Sequence, residues 1–399
     1  MRGEAVEMKV GEHMSKAILN VLEKCAPKLV ERRRYLRSIS SNESMISGQV
    51  DVEADTYCAP LLNKKIYELK RISGKLVETR NEVSRNILLN LENRVSPDEE
   101  VLDYQEYLEM QILILEKAIG KKQEQNRQFS HSVERNLIDH PFISSTTPNE
   151  TTLRKSRNAR GVLELNKSGF RNLYYQNGNG TLLLPYDARN LFGIFKLWEL
   201  KGKNIDFEFD FRELLKCVYA DINGGEYESL HTSLDNLGKT SIVMEEFYDA
   251  EAKKRKKTKI HNPIQTIEID RETNRVSIKL SDDLHKNLMA GHVVAISMSL
   301  FNDLATPTSK NLYLTILNKV KDGEYILEVE SLINHLGLHA YEKYKTYNML
   351  KSSFEELLTF DVIKSFEFIK QARVPIKVIF EPSEWVLVRT KEDQPLLLG

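Results

Sequence analysis

The chain has 399 residues, with 57 Lys and Arg against 58 Asp and Glu and a formal net charge of −1. This length accommodates two to three domains, and a hydrophobic content of 41% is ordinary for a globular protein. The balanced charge excludes a protein that is basic throughout, so a nucleic-acid contact must come from local basic patches. The cysteines Cys25, Cys58 and Cys217 stand far apart, which excludes a disulfide framework and a cysteine-rich zinc site. We expect a cytoplasmic protein with no membrane-spanning segment, no metal and no cofactor.

Residues 1–137 are rich in Leu, Glu, Lys and Arg and are predicted to be helical. From Leu62 to Ile87, apolar residues recur at steps of three and four with one gap at Arg80, which places them on one helix face. Ser96-Pro97 predicts the start of a second helix, whose apolar face runs from Val101 to Ile119. Two such helices suggest an antiparallel hairpin or a coiled-coil dimer element. The alternative is that they simply pack into a local bundle, and the pattern does not decide between these.

Residues 138–160 have the composition of a linker, polar at first and then basic. A basic linker is either simply solvated or in contact with phosphates. In the second case Arg154 and Arg157 are the candidate phosphate ligands.

Residues 161–300 change to short helices alternating with β-rich segments. Helices are predicted at Pro185 to Leu200, Phe211 to Tyr219 and Tyr227 to Leu237, and strands at Thr240 to Phe247, Ile264 to Ile269 and Val276 to Leu280. Three helices followed by a β-hairpin are typical of a winged helix-turn-helix. We place the tip of the wing at Lys253 to Lys259, where six of seven residues are cations. This segment is either a phosphate-binding wing or a disordered basic loop.

The same order recurs in residues 301–390. Helices are predicted at Lys310 to Asn318, Glu330 to Leu336 and His339 to Leu358, and strands at Phe360 to Ile369 and Val374 to Phe380. An offset of 120 residues places Tyr227 on Tyr347, Leu234 on Phe354, Leu237 on Leu357 and Ile242 on Val362. The predicted fold is mainly α with α+β parts: a helical or coiled N-terminal region followed by two tandem winged-helix domains.

The candidate DNA contacts lie on the third helix of each domain and on the basic segment of the first. The third helix of the first domain has no Lys or Arg before Lys239 and is therefore the weaker reader of guanine. The third helix of the second domain offers several lysines and an asparagine suited to adenine. For both helices the alternative is an ordinary exposed polar face. The candidates are Ser229, Thr232, Asn236 and Lys239; Lys343, Tyr344, Lys345, Asn348 and Lys351; and Lys253, Lys254, Arg255, Lys256, Lys257 and Lys259.

Several stretches resemble bacterial plasmid replication initiators, the Rep family with tandem winged-helix domains. They are LLPYDARNLFGIFKLWE, FEFDFRELLKCV and GGEYESLHTSLDNLGKTSIVMEE in the first domain, and NLYLTILN and VESLINHLGLHAYEKYKTYNMLKSSFEELLTFDVIKSFEF in the second. The resemblance covers about residues 161–381. It implies binding of directly repeated origin sequences (iterons), local opening of the duplex, and recruitment of a host helicase or its loader. It also implies homodimers that repress their own gene.

No nucleophile motif, paired carboxylates or metal-ligand spacing is present, so we expect no enzymatic activity. Gly238-Lys239-Thr240-Ser241 resembles the end of a phosphate-binding loop, but Ser233 stands where that loop needs glycine. The leading hypothesis is an origin-binding replication initiator. A second is a winged-helix transcriptional regulator or partition-type DNA-binding protein. A third is an assembly factor that acts through its N-terminal helices.

Overall fold

A computed structural model of the chain describes residues 13–146, 150–219, 226–270, 272–338 and 341–392. The chain divides into two compact units, Met1–Gln125 and Asn126–Gly399. The domain boundary predicted at residue 137 therefore falls inside the second unit. No helix of the described ranges is both long enough and apolar enough to cross a membrane.

The described part of the first unit is helical, as the sequence predicted. Its helices are α1 (His13–Ile39), α2 (Glu43–Tyr57), α3 (Ile66–Glu92) and α4 (Glu99–Asn126), with a short 3-10 turn at Ala59–Leu61. Their apolar faces meet in one core in which Leu22, Leu69 and Leu115 are fully buried. This arrangement is a local bundle, one of the alternatives left open by the sequence. A coiled-coil dimer stays a prediction.

The second unit combines short helices with small antiparallel sheets. Its helices are α5 (Arg135–Asp139), α6 (Glu150–Lys155), α7 (Pro185–Leu200), α8 (Phe211–Val218), α9 (Glu226–Gly238), α10 (Asp282–Met289), α11 (Met298–Asp303), α12 (Pro307–Lys321), α13 (Val329–His335), α14 (Lys343–Thr359) and α15 (Glu384–Glu392). Its strands are β1 (His131–Glu134), β2 (Leu163–Lys167), β3 (Leu173–Asn177), β4 (Asp206–Asp210), β5 (Thr240–Asp249), β6 (Lys254–His261), β7 (Ile264–Asp270), β8 (Arg275–Leu280), β9 (Val293–Ile296), β10 (Ile326–Glu328), β11 (Ile363–Gln371) and β12 (Val374–Pro382).

The second unit contains two winged helices, which confirms the predicted fold. The first consists of α7, β4, α8, α9 and the hairpin β7–β8, and the second of α12, β10, α13, α14 and the hairpin β11–β12. In each, the strand between the first two helices pairs with the second strand of the hairpin, giving the sheet orders β4-β8-β7 and β10-β12-β11. The 120-residue offset holds in the third helices, where the matched pairs Leu230 and Leu350, Leu234 and Phe354, and Leu237 and Leu357 are all buried.

The predicted position of the first wing was wrong. The basic segment does not form the wing tip, because β5 and β6 belong to a different sheet with the order β2-β3-β5-β6. Lys253 lies in the turn of that hairpin, and the cations from Lys254 onward lie in β6. The hairpin is an insertion between α9 and the wing β7–β8 and has no counterpart in the second winged helix. The 120-residue offset therefore ends with the third helix, and Ile242 in β5 is not the structural partner of Val362.

Residues 138–160 are not a solvated linker, since Phe142 and Leu153 are buried in the hydrophobic core of the second unit. Ser145 also contacts α12, where the Asn311 side-chain amide donates to its hydroxyl at 2.8 Å. One continuous core runs through both winged helices. The two are therefore packed as one body, and α9 and α14 keep a fixed arrangement. The start predicted at His339 for the third helix of the second winged helix lies outside the described residues.

Candidate nucleic-acid interface

Helix α14 has one buried face and one basic, exposed face. Leu350 and Phe354 anchor it in the core, and the Thr346 hydroxyl donates to the carbonyl of Leu338 at 3.0 Å, which fixes its first turn. Tyr344 is 78% exposed, although tyrosine is a side chain that gains much from burial. The exposed face carries all five residues that the sequence proposed there: Lys343, Tyr344, Lys345, Asn348 and Lys351.

The lysines of α14 differ in how far they are engaged within the chain. Lys351 lies 3.4 Å from Glu355, and the Lys345 ammonium lies 4.9 Å from the centre of the Tyr341 ring. Such exposed contacts are weak and easily exchanged for contacts with an anion. Lys343 lines a cleft of about 590 Å³ between α14 and the second wing. The first three turns of α14 therefore present cations and a polar amide beside an open cleft.

The second wing contributes cations that the sequence interpretation missed. Lys370 and Arg373 are exposed at the tip of the hairpin β11–β12, and Lys377 is exposed on β12 and lines the same cleft as Lys343. Cations in the segment between two predicted strands are the signal in the sequence that indicates them. Together α14 and this wing form one basic surface, which we call the α14–wing surface.

Helix α9 offers a less favourable surface for DNA. Its sequence EYESLHTSLDNLG contains three carboxylates and no Lys or Arg, so its charge opposes phosphate. Ser229 and Thr232 are exposed, and the Thr232 hydroxyl donates to the carbonyl of Glu228 at 3.2 Å within the helix. The ranking of the two third helices as DNA readers stays a prediction.

Asn236, which is half-buried, and Lys239, which is exposed, both make polar contacts within the chain. The Asn236 side-chain oxygen accepts from Asn179 at 2.8 Å and from the Thr181 hydroxyl at 3.3 Å. The Lys239 ammonium donates to the Asn179 side-chain oxygen and pairs with Asp235, both at 2.9 Å. These contacts hold the loop between β3 and α7 against the end of α9. They give both residues a structural role that the sequence interpretation did not anticipate.

The basic hairpin β5–β6 has exposed cations at its turn. Lys253, Lys254 and Arg255 are exposed, and the Arg255 guanidinium also donates to the carbonyl of Glu246 at 3.1 Å and lies 4.0 Å from Asp139. Lys256, Lys257 and Lys259 lie in β6, which is an edge strand. Lysines on an edge strand discourage pairing with another chain. The segment therefore has a structural reason to be basic, besides the proposed contact with phosphate.

A buried carboxyl group anchors this hairpin. Glu134 accepts hydrogen bonds from the side-chain amides of Asn136 at 2.8 Å and Asn287 at 2.9 Å, and both amides also donate to the carbonyl of Tyr248 near the end of β5. Burial raises the pKa of Glu134 to about 7, and the amide donors oppose that rise. The hairpin is therefore held to the body of the second unit by a polar network and not by packing alone.

The two arginines of the predicted linker have different environments. Arg157 donates to the carbonyl of Gly180 and to Glu150, both at 2.9 Å, which makes it a structural residue. The Arg154 side chain is 75% exposed and lies 3.4 Å from Glu150. Among the described residues, no group of His, Cys, Asp and Glu is placed to hold a metal ion.

A model of the replication initiator protein A family matches residues 191–343. The matched region runs from within α7 to the first residue of α14, so it contains most of the first winged helix and the first half of the second. This match confirms the resemblance to replication initiators. A search of curated proteins finds no match.

Similar solved structures include two of RctB domains and one of the Pi initiator protein. A structure of domains 2 and 3 of RctB is 10% identical, covers 64% of this chain and 99% of that chain, and has a TM-score of 0.39. A second structure of the same RctB domains gives 10% identity, coverage of 57% and 92%, and a TM-score of 0.39. A structure of the Pi initiator protein in complex with iteron DNA is 16% identical, covers 50% and 91%, and has a TM-score of 0.38. Similarity at this level assigns neither fold nor function.

Proposed function

We propose that the protein is a replication initiator that binds double-stranded DNA sequence-specifically at directly repeated sites, chiefly through the α14–wing surface. The observation that carries this proposal is that α14 presents Lys343, Lys345, Asn348 and Lys351 from a rigidly packed helix beside a cationic wing. The dimensions of an α-helix suit the major groove, where a lysine can contact guanine or phosphate and an asparagine can pair with adenine. The match to the initiator family supports the biological role.

The first winged helix has a smaller part in this proposal. The carboxylates of α9 disfavour close approach to phosphates, so its contribution to affinity is small. Lys253 and Lys254 on the inserted hairpin and Arg154 before β2 are exposed and add non-specific backbone contacts. Duplex opening, recruitment of a host helicase or its loader, and repression by a homodimer are parts of the proposal that rest on the resemblance alone.

Salt-dependent binding tests the DNA surface. The protein is titrated by fluorescence anisotropy against duplex DNA from upstream of its own gene, at several salt concentrations. Each phosphate contact contributes about −0.9 to the slope of log K against log salt. Replacing Lys343 and Lys345 together with Gln should make the slope less steep by about 1 to 2. The matched control, Lys253→Gln with Lys254→Gln, should change the slope less.

Three results would contradict parts of this proposal. Affinity of the unaltered protein that does not fall with salt would mean that it does not bind DNA through its cations. A larger effect of the hairpin pair than of the α14 pair would move the interface to the β5–β6 hairpin. Asn348→Ala should relax preference at one base pair, at a cost of about 1 to 3 kcal/mol, and an unchanged preference would remove α14 as the sequence reader.

The initiator role needs a separate experiment. A plasmid that carries this gene and its flanking repeats, and no other origin, should replicate. DNA binding without replication of such a plasmid would favour the alternative of a transcriptional regulator or partition-type protein. Directly repeated sequences beside the gene are expected on the first hypothesis.

A further inference from the structure

The end of the hairpin formed by α3 and α4 exposes large apolar side chains. Leu88 is 60% exposed, Leu91 and Val95 are each 54% exposed, and Leu102 is 43% exposed. They lie on both sides of the turn at residues 93–98 that joins the two helices. A single exposed leucine is ordinary on a protein surface, whereas a contiguous apolar patch marks a surface that binds something.

A hydrogen bond shows that three of these side chains share one face. The Gln105 side-chain amide donates to the Ser84 hydroxyl at 3.1 Å, so these two residues mark the sides on which α3 and α4 face each other. Leu88 and Leu91 follow Ser84 by four and seven residues, and Leu102 precedes Gln105 by three. Such spacings keep side chains on one helix face. The three leucines therefore line the seam between α3 and α4.

This seam is closed far from the turn and open near it. Away from the turn, the two helices bury apolar side chains in the core of the first unit, namely Leu69, Ile72 and Leu76 of α3 and Leu108 and Leu115 of α4. The leucines beyond the contact between Ser84 and Gln105 instead keep about half of their surface exposed. The first unit therefore ends in an apolar slot that no described residue covers.

Elsewhere in the bundle, opposite charges are matched where helices meet. Arg34 of α1 lies 2.6 Å from Asp103 and 2.9 Å from Glu106, both on α4. Lys117 of α4 lies 2.7 Å from Asp51 of α2. Contacts between helices of this unit thus combine an apolar interior with paired charges at the margin.

The margin of the open slot carries both signs of charge without such pairs. Arg85 in α3 and Arg94 just after it lie on one side, and Glu99 and Glu100 in the first turn of α4 lie on the other. All four are exposed, and none forms an ion pair with another described residue. The α3 side is net positive even when Glu92 is counted, and the α4 side is net negative.

We propose that this end of the first unit binds the same end of a second copy of the chain about a two-fold axis. A two-fold axis places one patch against itself, so the apolar slots of the two copies cover each other. It also sets the positive α3 side of each copy against the negative α4 side of the other, which makes the charges self-complementary. The inference is independent of the proposed DNA binding, since none of these residues lies on the α14–wing surface.

The oligomeric state of the full chain, measured without DNA, tests this docking. The patch holds about fifteen residues per copy, fewer than the roughly 20 to 30 of a standard interface, so we expect a micromolar dissociation constant. Sedimentation velocity between about 1 and about 100 μM should therefore show a shift from monomer toward dimer. Leu88→Glu with Leu91→Glu should weaken the dimer about tenfold or more, because it places carboxylates in the apolar contact. Val52→Glu, at a 72% exposed residue of α2, is the matched control and should leave association unchanged.

Charge reversal distinguishes a second copy from any other occupant of the slot. One variant carries Arg85→Glu with Arg94→Glu, and the other carries Glu99→Arg with Glu100→Arg. Either variant alone brings like charges together in a two-fold dimer and should associate about tenfold more weakly. A mixture of the two, with one of them fluorescently labelled, restores opposite charges at both margins. It should associate at least as strongly as the unaltered protein.

The outcomes are distinguishable. An unaltered protein that stays monomeric up to about 100 μM overturns the inference. A leucine variant that associates like the unaltered protein also overturns it, because the dimer contact would then lie elsewhere. Failure of the two charge variants to associate with each other rules out the two-fold pairing. The substituted side chains are exposed, so thermal unfolding midpoints should stay close to that of the unaltered protein, and the losses can be assigned to association.

Discussion

The pH dependence of stability offers a sharp test of the Glu134 network. The perturbation is Glu134→Gln, which removes the ionisable group from a site where the side chain is 1% exposed. Burial raises the pKa of Glu134 from an ordinary 4.5 to about 7 in the folded protein. The folded state therefore binds the proton more tightly than the unfolded state. The stabilisation is complete below the unfolded pKa and is lost as pH rises through the folded pKa.

The size of the effect follows from those two values. A difference of about 2.5 between the folded and unfolded pKa corresponds to about 3 kcal/mol, most of it lost between pH 5 and pH 8. Buried histidines act in the opposite direction. Burial lowers the pKa of His131 to about 4 and of His335 to about 3. As pH falls below about 6.5, the unfolded state therefore takes up protons that these buried rings do not, and the fold loses stability. Comparing the variant with the unaltered protein at each pH cancels these contributions.

Urea unfolding followed by tryptophan fluorescence is the appropriate assay. Both tryptophans, Trp198 and Trp385, lie in the second unit, so their emission reports unfolding of that unit. The free energy of unfolding of the unaltered protein minus that of Glu134→Gln should fall by about 2 to 3 kcal/mol between pH 5 and pH 8. The exposed control Glu272→Gln should show no such change. A difference for Glu134→Gln that is independent of pH would refute the reasoning.

Four further substitutions test the packing and the polar contacts of the chain. Phe354→Ala should lower the free energy of unfolding by about 3 to 5 kcal/mol, measured by urea titration, because it empties a fully buried site; a loss below about 1 kcal/mol would contradict the assigned core. Gly169→Ala should lower the thermal unfolding midpoint, since a Cβ there would lie 2.8 Å from the His335 ring and 3.0 Å from its Cα. The same change at Gly120, where nothing lies within 4 Å, should raise the midpoint. Asn236→Ala should cost about 1 to 2 kcal/mol of stability and leave DNA sequence preference unchanged, and altered preference in a binding selection would return Asn236 to the interface.

The sequence alone determined the main architectural features. Apolar residues at helical spacing predicted the N-terminal helices, and matching core positions such as Leu234 and Phe354 revealed the duplicated third helix. These signals are local, because a helix buries residues three and four positions apart whatever it packs against. The exposed basic face of α14 was readable for the same reason. Lys343 and Asn348 lie on the side of the helix that the apolar pattern leaves to solvent.

Tertiary structure decided which hairpin is the wing. The segments around Lys253 and around Arg275 both have sequences typical of strands, so the sequence does not show which of them forms the wing. The pairing does: β8 pairs with β4, whereas β6 pairs with β5 at the edge of another sheet. Pairing of β8 with β4 joins segments far apart in the chain, so no local pattern records it. Long-range contacts likewise place Phe142 in the core and engage Asn236 with the loop before α7. Charge and polarity could be read from the sequence, but whether a polar group faces solvent or a partner was set by the folded chain.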